Sequence, residues 1–352
     1  MEGVDKDLKN RTLSEVERLV VGMGQKPYLG RYIFSFIHVK AVGDIDGITP
    51  LSKGFRAELM RGGYFISQLK VVERLEEAGR AVKYQFELVD GDRIESVVLL
   101  SGRRRTLCVS TQVGCGMDCA FCATGKLKLR RNLSAGEIVD QFNTVEKDGH
   151  GINNVVYMGM GEPLANYESV VRSVRILNEP LGKGIGIRRI TISTCGDAKG
   201  ITRLADEDIE PRLAVSLNAV TDAVRSRLMP ITKKHPIAEV IKAVKGYQAK
   251  TGRRVTFEYV LLKGVNDRVD DARRMVKLVA GIKCNVNLIE FNPYSGCDLV
   301  GSGQEVIERF ARILSEAGIE TVIRFKLGRT IKAACGQLGS GGGIEATGDG
   351  VF

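Results

Sequence analysis

The sequence predicts an α/β chain whose parallel sheet curls into a full or partial barrel, preceded by a small helical unit and a β-hairpin extension. Three observations carry that expectation. Strand-like and helix-like segments alternate over roughly 230 residues from about Leu107 onward, the pattern of repeated βα units. The spacing of apolar residues changes from helical to alternating near Val82. Polar residues (Glu162, Ser193, Ser216, Asn218 and Asn292) collect where the strands should end, and in barrel folds that rim carries the chemistry.

Residues 1–80 read as the helical accessory unit. Thr12-Leu-Ser-Glu-Val-Glu-Arg-Leu-Val gives one apolar stripe, a second starts at Tyr28 after Pro27, and Leu51 to Met60 offers a third. Residues 81–106 read as the β extension: Val82 to Val89 alternates, Asp90-Gly91 supplies a turn, and Ile94 to Leu100 answers it. Glu95 within it reads as an ordinary solvent-side carboxylate. Residues 107–338 form the expected barrel core. Ser134 and Glu137 make a capping box that opens a helix through Thr144. Strands are expected at Asn154–Met158, Arg189–Thr194, Arg212–Asn218, Val255–Leu262, Asn285–Pro293 and Glu320–Phe325. Helices are expected at Tyr167–Leu177, Ile237–Tyr247 and Asp270–Val279, with one more opened by Ser302 and Glu305. Residues 339–352 read as a frayed, glycine-rich tail.

Composition narrows the class. The chain has 352 residues, 43% of them hydrophobic and 27% charged, enough for a large core. No window approaches a membrane-spanning run, and the charged start lacks the apolar core of a secretory signal. With no sign of export, eight cysteines read better as metal or catalytic groups than as disulfides, and a reducing cytoplasm is expected. Lys plus Arg number 52 against 42 acidic residues, a net +10 that favours a polyanionic partner. Two basic runs flank one stretch: Arg103-Arg104-Arg105 before it, and Lys126, Lys128, Arg130 and Arg131 after it. Any one run would serve as a solvated loop; the pair makes a nucleic acid plausible.

That stretch runs from Leu107 to Gly125, opens on a strand-like run from Leu107 to Val113, and holds Cys115, Cys119 and Cys122 at C-x3-C-x2-C. A tight loop can aim three thiolates at one point. Three thiolates leave one iron of a cubic [4Fe–4S] cluster free of protein, where an amino-acid-bearing cofactor can chelate. The alternative is a zinc knot with Cys108 as a fourth ligand, against the usual paired spacings. With Phe121 before the third cysteine, the spacing matches the radical S-adenosylmethionine (SAM) signature.

The chain also resembles the RlmN/Cfr family of radical SAM methyltransferases acting on an adenine of RNA, nearer to its RlmN branch. Five stretches occur in that family's order: Leu107 to Cys115, Gly159-Met-Gly-Glu-Pro-Leu-Ala-Asn166, Leu228-Met-Pro-Ile231, Gly264-Val-Asn-Asp267 and Ala333-Ala-Cys-Gly-Gln-Leu338. The resemblance covers nearly the whole chain and is loosest in the first 80 residues. It implies a partial (β/α)6-type radical SAM barrel and adenine C2 methylation in 23S rRNA, with tRNA as a further candidate. Cys115, Cys119 and Cys122 would hold the cluster. Gly161, Glu162, Ser193, Ser216, Leu217, Asn218 and Asn292 would line the SAM pocket. Cys335 would carry a methyl group as S-methylcysteine, Cys108 would release the product through a transient Cys108–Cys335 disulfide, and Glu95 matches a proton-acceptor position. The electron donor would be a flavodoxin-type reductant, and nothing demands another protein partner, so a monomer is expected.

The chemistry is coherent. An amidine carbon of adenine is electrophilic, so an ordinary methyl cation equivalent cannot attack it, whereas a nucleophilic carbon radical can. Taken alone, Cys335 would read as a small core residue, and Cys195, Cys284 and Cys297 are still read that way. His38, His150 and His235 form no metal pair. Three positions depart from the family: Asn218 stands where histidine is usual, Thr330-Ile331 replaces Asp-Ile, and Gly296-Cys297-Asp298 replaces the customary turn. Alternative outcomes are methylation at adenine C8, a paralogue with another RNA target, or a zinc-stapled RNA-binding protein without catalysis.

Overall fold

The computed structural model describes residues 6–324, 328 and 330–339. One ten-stranded sheet organises them, in the order β1-β2-β3-β4-β7-β8-β9-β10-β11-β12. Its first part is an antiparallel meander of β1 (Lys70–Glu77), β2 (Ala81–Glu87), β3 (Arg93–Ser101) and β4 (Arg104–Cys108). From β4 onward every pairing is parallel, through β7 (Asn154–Tyr157), β8 (Ile190–Thr194), β9 (Arg212–Ser216), β10 (Val255–Leu261), β11 (Cys284–Glu290) and β12 (Glu320–Arg324). A short ribbon of β5 (Gln112–Val113) and β6 (Arg131–Asn132) closes the base of the cysteine loop.

Parallel neighbours need crossovers, and helices supply them. Ala135–Glu146 joins β4 to β7, Tyr167–Asn178 joins β7 to β8, and Ala198–Leu204 joins β8 to β9. Asp222–Leu228 and Ile237–Thr251 lead to β10, Val269–Leu278 to β11, and Gln304–Glu316 to β12. Alternation decides which side each residue faces. On β9, Leu213 and Val215 are fully buried under the helices, while Arg212 and Ser216 open to the inner face. The capping box at Ser134 forms as expected: Glu137 N–H donates to Ser134 Oγ at 3.1 Å, and Ser134 N–H to Glu137 Oε2 at 2.8 Å.

Four expectations need correction. The helical reading of residues 1–80 holds through the helices Leu13–Gly22, Tyr28–His38 and Lys53–Arg61, but Lys70–Glu77 is a strand. Its Glu, Arg, Lys and Leu favour helix in isolation, and as an edge strand open on both faces it shows no alternation. The β extension is continuous with the main sheet rather than a separate hairpin. The strand expected from Leu107 to Val113 breaks after Cys108 and resumes only as β5. Two helices of seven residues, Ala198–Leu204 and Asp222–Leu228, were not expected; each is too short to show a period. The tail beyond Gly339, with Phe325 and Arg329, lies outside the described residues.

The N-terminal unit is fixed to the barrel by buried polar contacts as well as by apolar packing. Lys9 Nζ donates to Asp140 Oδ1 at 2.5 Å and also to the Ser67 carbonyl, and Leu69 N–H donates to Asp140 Oδ2 at 2.7 Å. Gly136 N–H donates to Asn10 Oδ1 at 2.6 Å, and a Cβ on Gly136 would lie 2.9 Å from Asp7 Oδ2. Among the described residues no helix is long and apolar enough to cross a membrane.

Candidate functional site

The cysteine loop leaves β5 through Gly114, whose φ of +73° and a virtual Cβ only 2.1 Å from the Lys128 carbonyl oxygen leave room for glycine alone. The returning chain closes it: Cys115 N–H donates to Leu127 O at 3.1 Å and Cys122 N–H to Cys119 O at 3.1 Å. Gly125 lets the loop fold tightly, because a Cβ there would sit 2.9 Å from Cys119 N and O. The far wall holds the tip, with Ala120 N–H donating to Leu228 O at 2.9 Å and Tyr294 Oη to Ala120 O at 3.0 Å. Cys119 is buried; Cys115 and Cys122 are half-buried. Burial pushes the Cys115 thiol up to about 12 and raises Cys119 and Cys122. A bound cation is what would hold such thiols deprotonated.

These donors suit an iron–sulfur cube. Three soft thiols share one loop, each able to take a different iron. Among the described residues, no three His, Cys, Asp or Glu side chains converge as ligands of a single ion. Nearby, Asn292 Oδ1 is a buried acceptor without a protein partner, while its amide donates to the Cys335 carbonyl at 3.2 Å. That unmatched acceptor is what a polar ligand would complete.

The remaining SAM candidates divide by how fully the protein already uses them. Gly161 has φ +98°, and a Cβ there would meet Gln112 Cβ at 2.6 Å, so the turn after β7 requires glycine. Glu162 is buried, which raises its carboxyl; its oxygens accept from Leu164 N–H at 3.1 Å and Cys195 N–H at 2.7 Å. Carboxylate lone pairs remain for a ligand. Ser193 and Ser216 lie half-buried on the inner face of β8 and β9. Leu217 N–H donates to Glu258 O at 3.0 Å. Asn218 adopts φ +54° and accepts from Val260 N–H at 2.8 Å. An asparagine tolerates that left-handed backbone. Its side chain therefore ties the end of β9 to β10.

The Cys335 loop docks on three neighbours. Ala123 N–H donates to Gly336 O at 2.7 Å and Thr124 Oγ1 to Leu338 O at 2.7 Å, joining it to the cysteine loop. Gln337 Nε2 donates to Pro293 O at 3.0 Å beside the Asn292 contact. Gly339 N–H donates to Glu95 Oε2 at 2.8 Å, and Lys83 Nζ to Glu95 Oε1 at 3.0 Å. Cys335 is exposed, and Cys108 is half-buried at the end of β4. Burial and then the neighbouring Cys335 raise the Cys108 thiol. Thus sequence-distant Cys108, Cys335, Glu95 and the cysteine loop share one site. Glu95 is not the solvent-side residue expected: it is fully buried against a nearly buried lysine.

The basic run after the loop also differs from expectation. Arg130 pairs with Asp92, while Arg131 bridges Asp90 at 2.5 Å and Glu137 at 2.9 Å, so the hairpin turn neutralises both. Two residues escaped sequence reasoning. Arg225 is fully buried and donates to the carbonyls of Leu217 at 2.9 Å and Cys195 at 2.5 Å and to Thr232 Oγ1 at 3.0 Å, bracing the strand ends under the cysteine loop. Glu258 faces inward from β10, its carboxyl raised by burial, and accepts from Asn287 Nδ2 at 2.8 Å. A polar residue amid the apolar run Val255–Leu261 was the available signal for Glu258; Arg225 left none in its short helix.

Comparison with known proteins agrees with this geometry. The model of the radical SAM superfamily matches residues 109–279. A probable dual-specificity RNA methyltransferase RlmN of Thermotoga neapolitana is 45% identical over 335 residues, covering 95% of this chain and 97% of the relative. The chain belongs to the RlmN family of radical SAM RNA methyltransferases. Another such relative, from Geotalea uraniireducens, is 41% identical over 332 residues, covering 94% of this chain and 96% of its own length. The crystal structure of a radical SAM methyltransferase from Sphaerobacter thermophilus superposes with a TM-score of 0.89 at 42% identity, covering 95% of this chain and 99% of that one. RlmN membership makes this an RNA-modifying enzyme of a superfamily that works with a [4Fe–4S] cluster and SAM.

Proposed function

We propose that the chain methylates C2 of an adenine in 23S rRNA, with tRNA as a second substrate, through a methyl group carried on Cys335. The observation that supports this most is the docking of the exposed Cys335 loop onto the cysteine loop, with Cys108 beside it. Cys115, Cys119 and Cys122 hold the cluster in this reading, and Gly161, Glu162, Ser193, Ser216, Leu217, Asn218 and Asn292 line the SAM pocket. When bound, cluster and SAM supply reductive cleavage to a 5′-deoxyadenosyl radical.

The chain's own residues do the rest. Cys335 accepts a methyl group as a thiolate nucleophile and presents it to the adenine. The Cys335 methyl, having lost a hydrogen atom to the deoxyadenosyl radical, adds to the adenine carbon, and the adduct gives up one electron and its ring proton. The Cys108 thiolate then attacks the Cys335 sulfur; the C–S bond breaks with its electron pair on carbon, which takes up a proton as the methyl product, and a Cys108–Cys335 disulfide remains. Glu95 takes the ring proton; lone pairs on its oxygens beyond the Lys83 and Gly339 contacts stay open. Thr330, whose Oγ1 donates to Glu77 Oε2 at 3.1 Å, seats the start of the loop on the β1–β2 hairpin, so its departure from aspartate bears on loop docking. Residues 1–80 contribute RNA contacts, a flavodoxin-type protein supplies electrons, and the chain works as a cytoplasmic monomer.

Nucleoside analysis of RNA treated with the reconstituted enzyme tests the regiochemistry. The expected product is 2-methyladenosine; 8-methyladenosine alone would overturn the C2 assignment. Peptide mass spectrometry of enzyme purified without air should place one extra methylene on Cys335. An unmodified Cys335 in protein with a full cluster and SAM would overturn the methyl-carrier role.

A further inference from the structure

The inner face of the curled sheet gathers three arginines that have few anions around them. Leu107 is fully buried under the helices, so Arg104, Thr106 and Cys108 of β4 face inward. The same alternation turns Arg212 inward on β9, and on β12 it sets Arg324 opposite the core-packed Ile323. Strand register puts Arg212 in one row with Cys108, through Val156 and Thr191. Arg104 and Arg212 open β4 and β9, away from the rim of Glu162 and the cysteine loop.

The inward acids are already engaged. Glu320 binds Arg254 at 2.5 Å, and Glu258 accepts from Asn287 with Arg324 at 4.0 Å. Among the described residues, the guanidinium groups of Arg104 and Arg212 have no ion-pair or hydrogen-bond partner. Enclosure, and then the charges of Arg324 and Arg212, hold Arg104 below the usual arginine range. Arg324 also lies within electrostatic reach of Cys335. Like charges assembled in a trough repel unless an anion lies between them.

We propose that Arg104, Arg212 and Arg324 form a phosphate site that holds the phosphodiester of the nucleotide being methylated. The inference rests on Cys335 as the methyl carrier. A base entering from the arginine side meets Cys335 and Cys108 with the cysteine loop beyond them, and its backbone trails among the guanidinium groups. Arginine suits that task, since its planar fork matches phosphate oxygens. The SAM carboxylate is the competing anion, but its candidate residues lie at the strand ends opposite Arg104 and Arg212; Arg324, which closes β12, stands between the two groups.

The test is equilibrium binding of an unmodified tRNA transcript to the cluster-free full chain across about 50–200 mM salt. The variant R104M/R212M should bind less tightly, with the slope of log affinity against log salt shallower by about one to two. R104K/R212K should keep most of the slope, and K242M, an exposed position on the helix Ile237–Thr251, should match wild type. An unchanged slope in R104M/R212M overturns the site. Equal weakening by K242M would mean a general field effect and overturns it too. Weaker SAM binding to reconstituted R104M/R212M with RNA binding intact would assign the arginines to the cofactor instead. None of these readouts depends on which adenine carbon is methylated, so failure of the C2 reading remains separately visible.

Discussion

The two ends of the described chain are joined to the barrel by opposite means. The N-terminal unit is locked by a charge pair sealed from water, Lys9 with Asp140, and by Asn10 against the first turn of the helix Ala135–Glu146. The loop that carries Cys335 is held mostly by neutral hydrogen bonds involving main-chain groups, and by one bond that ends on a buried carboxylate, Glu95. Each neutral bond contributes about 1 kcal/mol net, so such a loop can be released piecemeal. A buried ion pair yields only as a whole, because removing one partner strands the other. The first joint reads as permanent scaffold and the second as a working part.

The largest effect should come from breaking the scaffold joint. D140A leaves Lys9 buried without its partner and should lower stability by about 3–5 kcal/mol, read by denaturant unfolding; a loss under about 1 kcal/mol would erase the contrast. E95Q comes next. It strands Lys83 while keeping a group that can accept from Gly339, so it should cost about 3 kcal/mol and speed proteolysis within residues 328–339. Unaltered proteolysis would show that the neutral bonds hold the loop unaided.

A third effect depends on pH. His38, fully buried beneath the N-terminal unit, is pushed down to about 3 by burial and then by Lys9 and Lys183. Its folded pKa lies below the unfolded value of about 6.5, so the unfolded state binds the extra proton. The stability tied to neutral His38 is complete above about pH 6.5 and is lost as pH falls toward 3. H38F should flatten the stability profile in that window, and a parallel profile would overturn the assignment. The smallest effect should be at the surface: R131M removes partly exposed pairs with Asp90 and Glu137 and should cost about 1 kcal/mol or less.

Legibility in the sequence followed how local the determinant was. The helix Ala135–Glu146 could be read because its start signal, Ser134 with Glu137, lies within one turn and the folded chain uses it. The parallel strands could be read because helices cover them and their apolar runs are dense. β1 could not, since pairing with β2 rather than its own residues makes it a strand. The cysteine loop announced itself by spacing. Glu95 could not be placed, because only contact with Lys83 and Gly339, both remote in sequence, makes it a buried charge. The neutralisation of Arg130 and Arg131 likewise needs the hairpin turn to come alongside.

The contact between Thr124 and Leu338 spans 214 positions. On the ribosome the cysteine loop therefore emerges long before the segment that will cover it. At about 5–20 residues per second that interval is roughly 10–40 s. Nascent chains thus expose Cys115, Cys119 and Cys122 while Cys335, and the loop that will dock on them, has yet to be made.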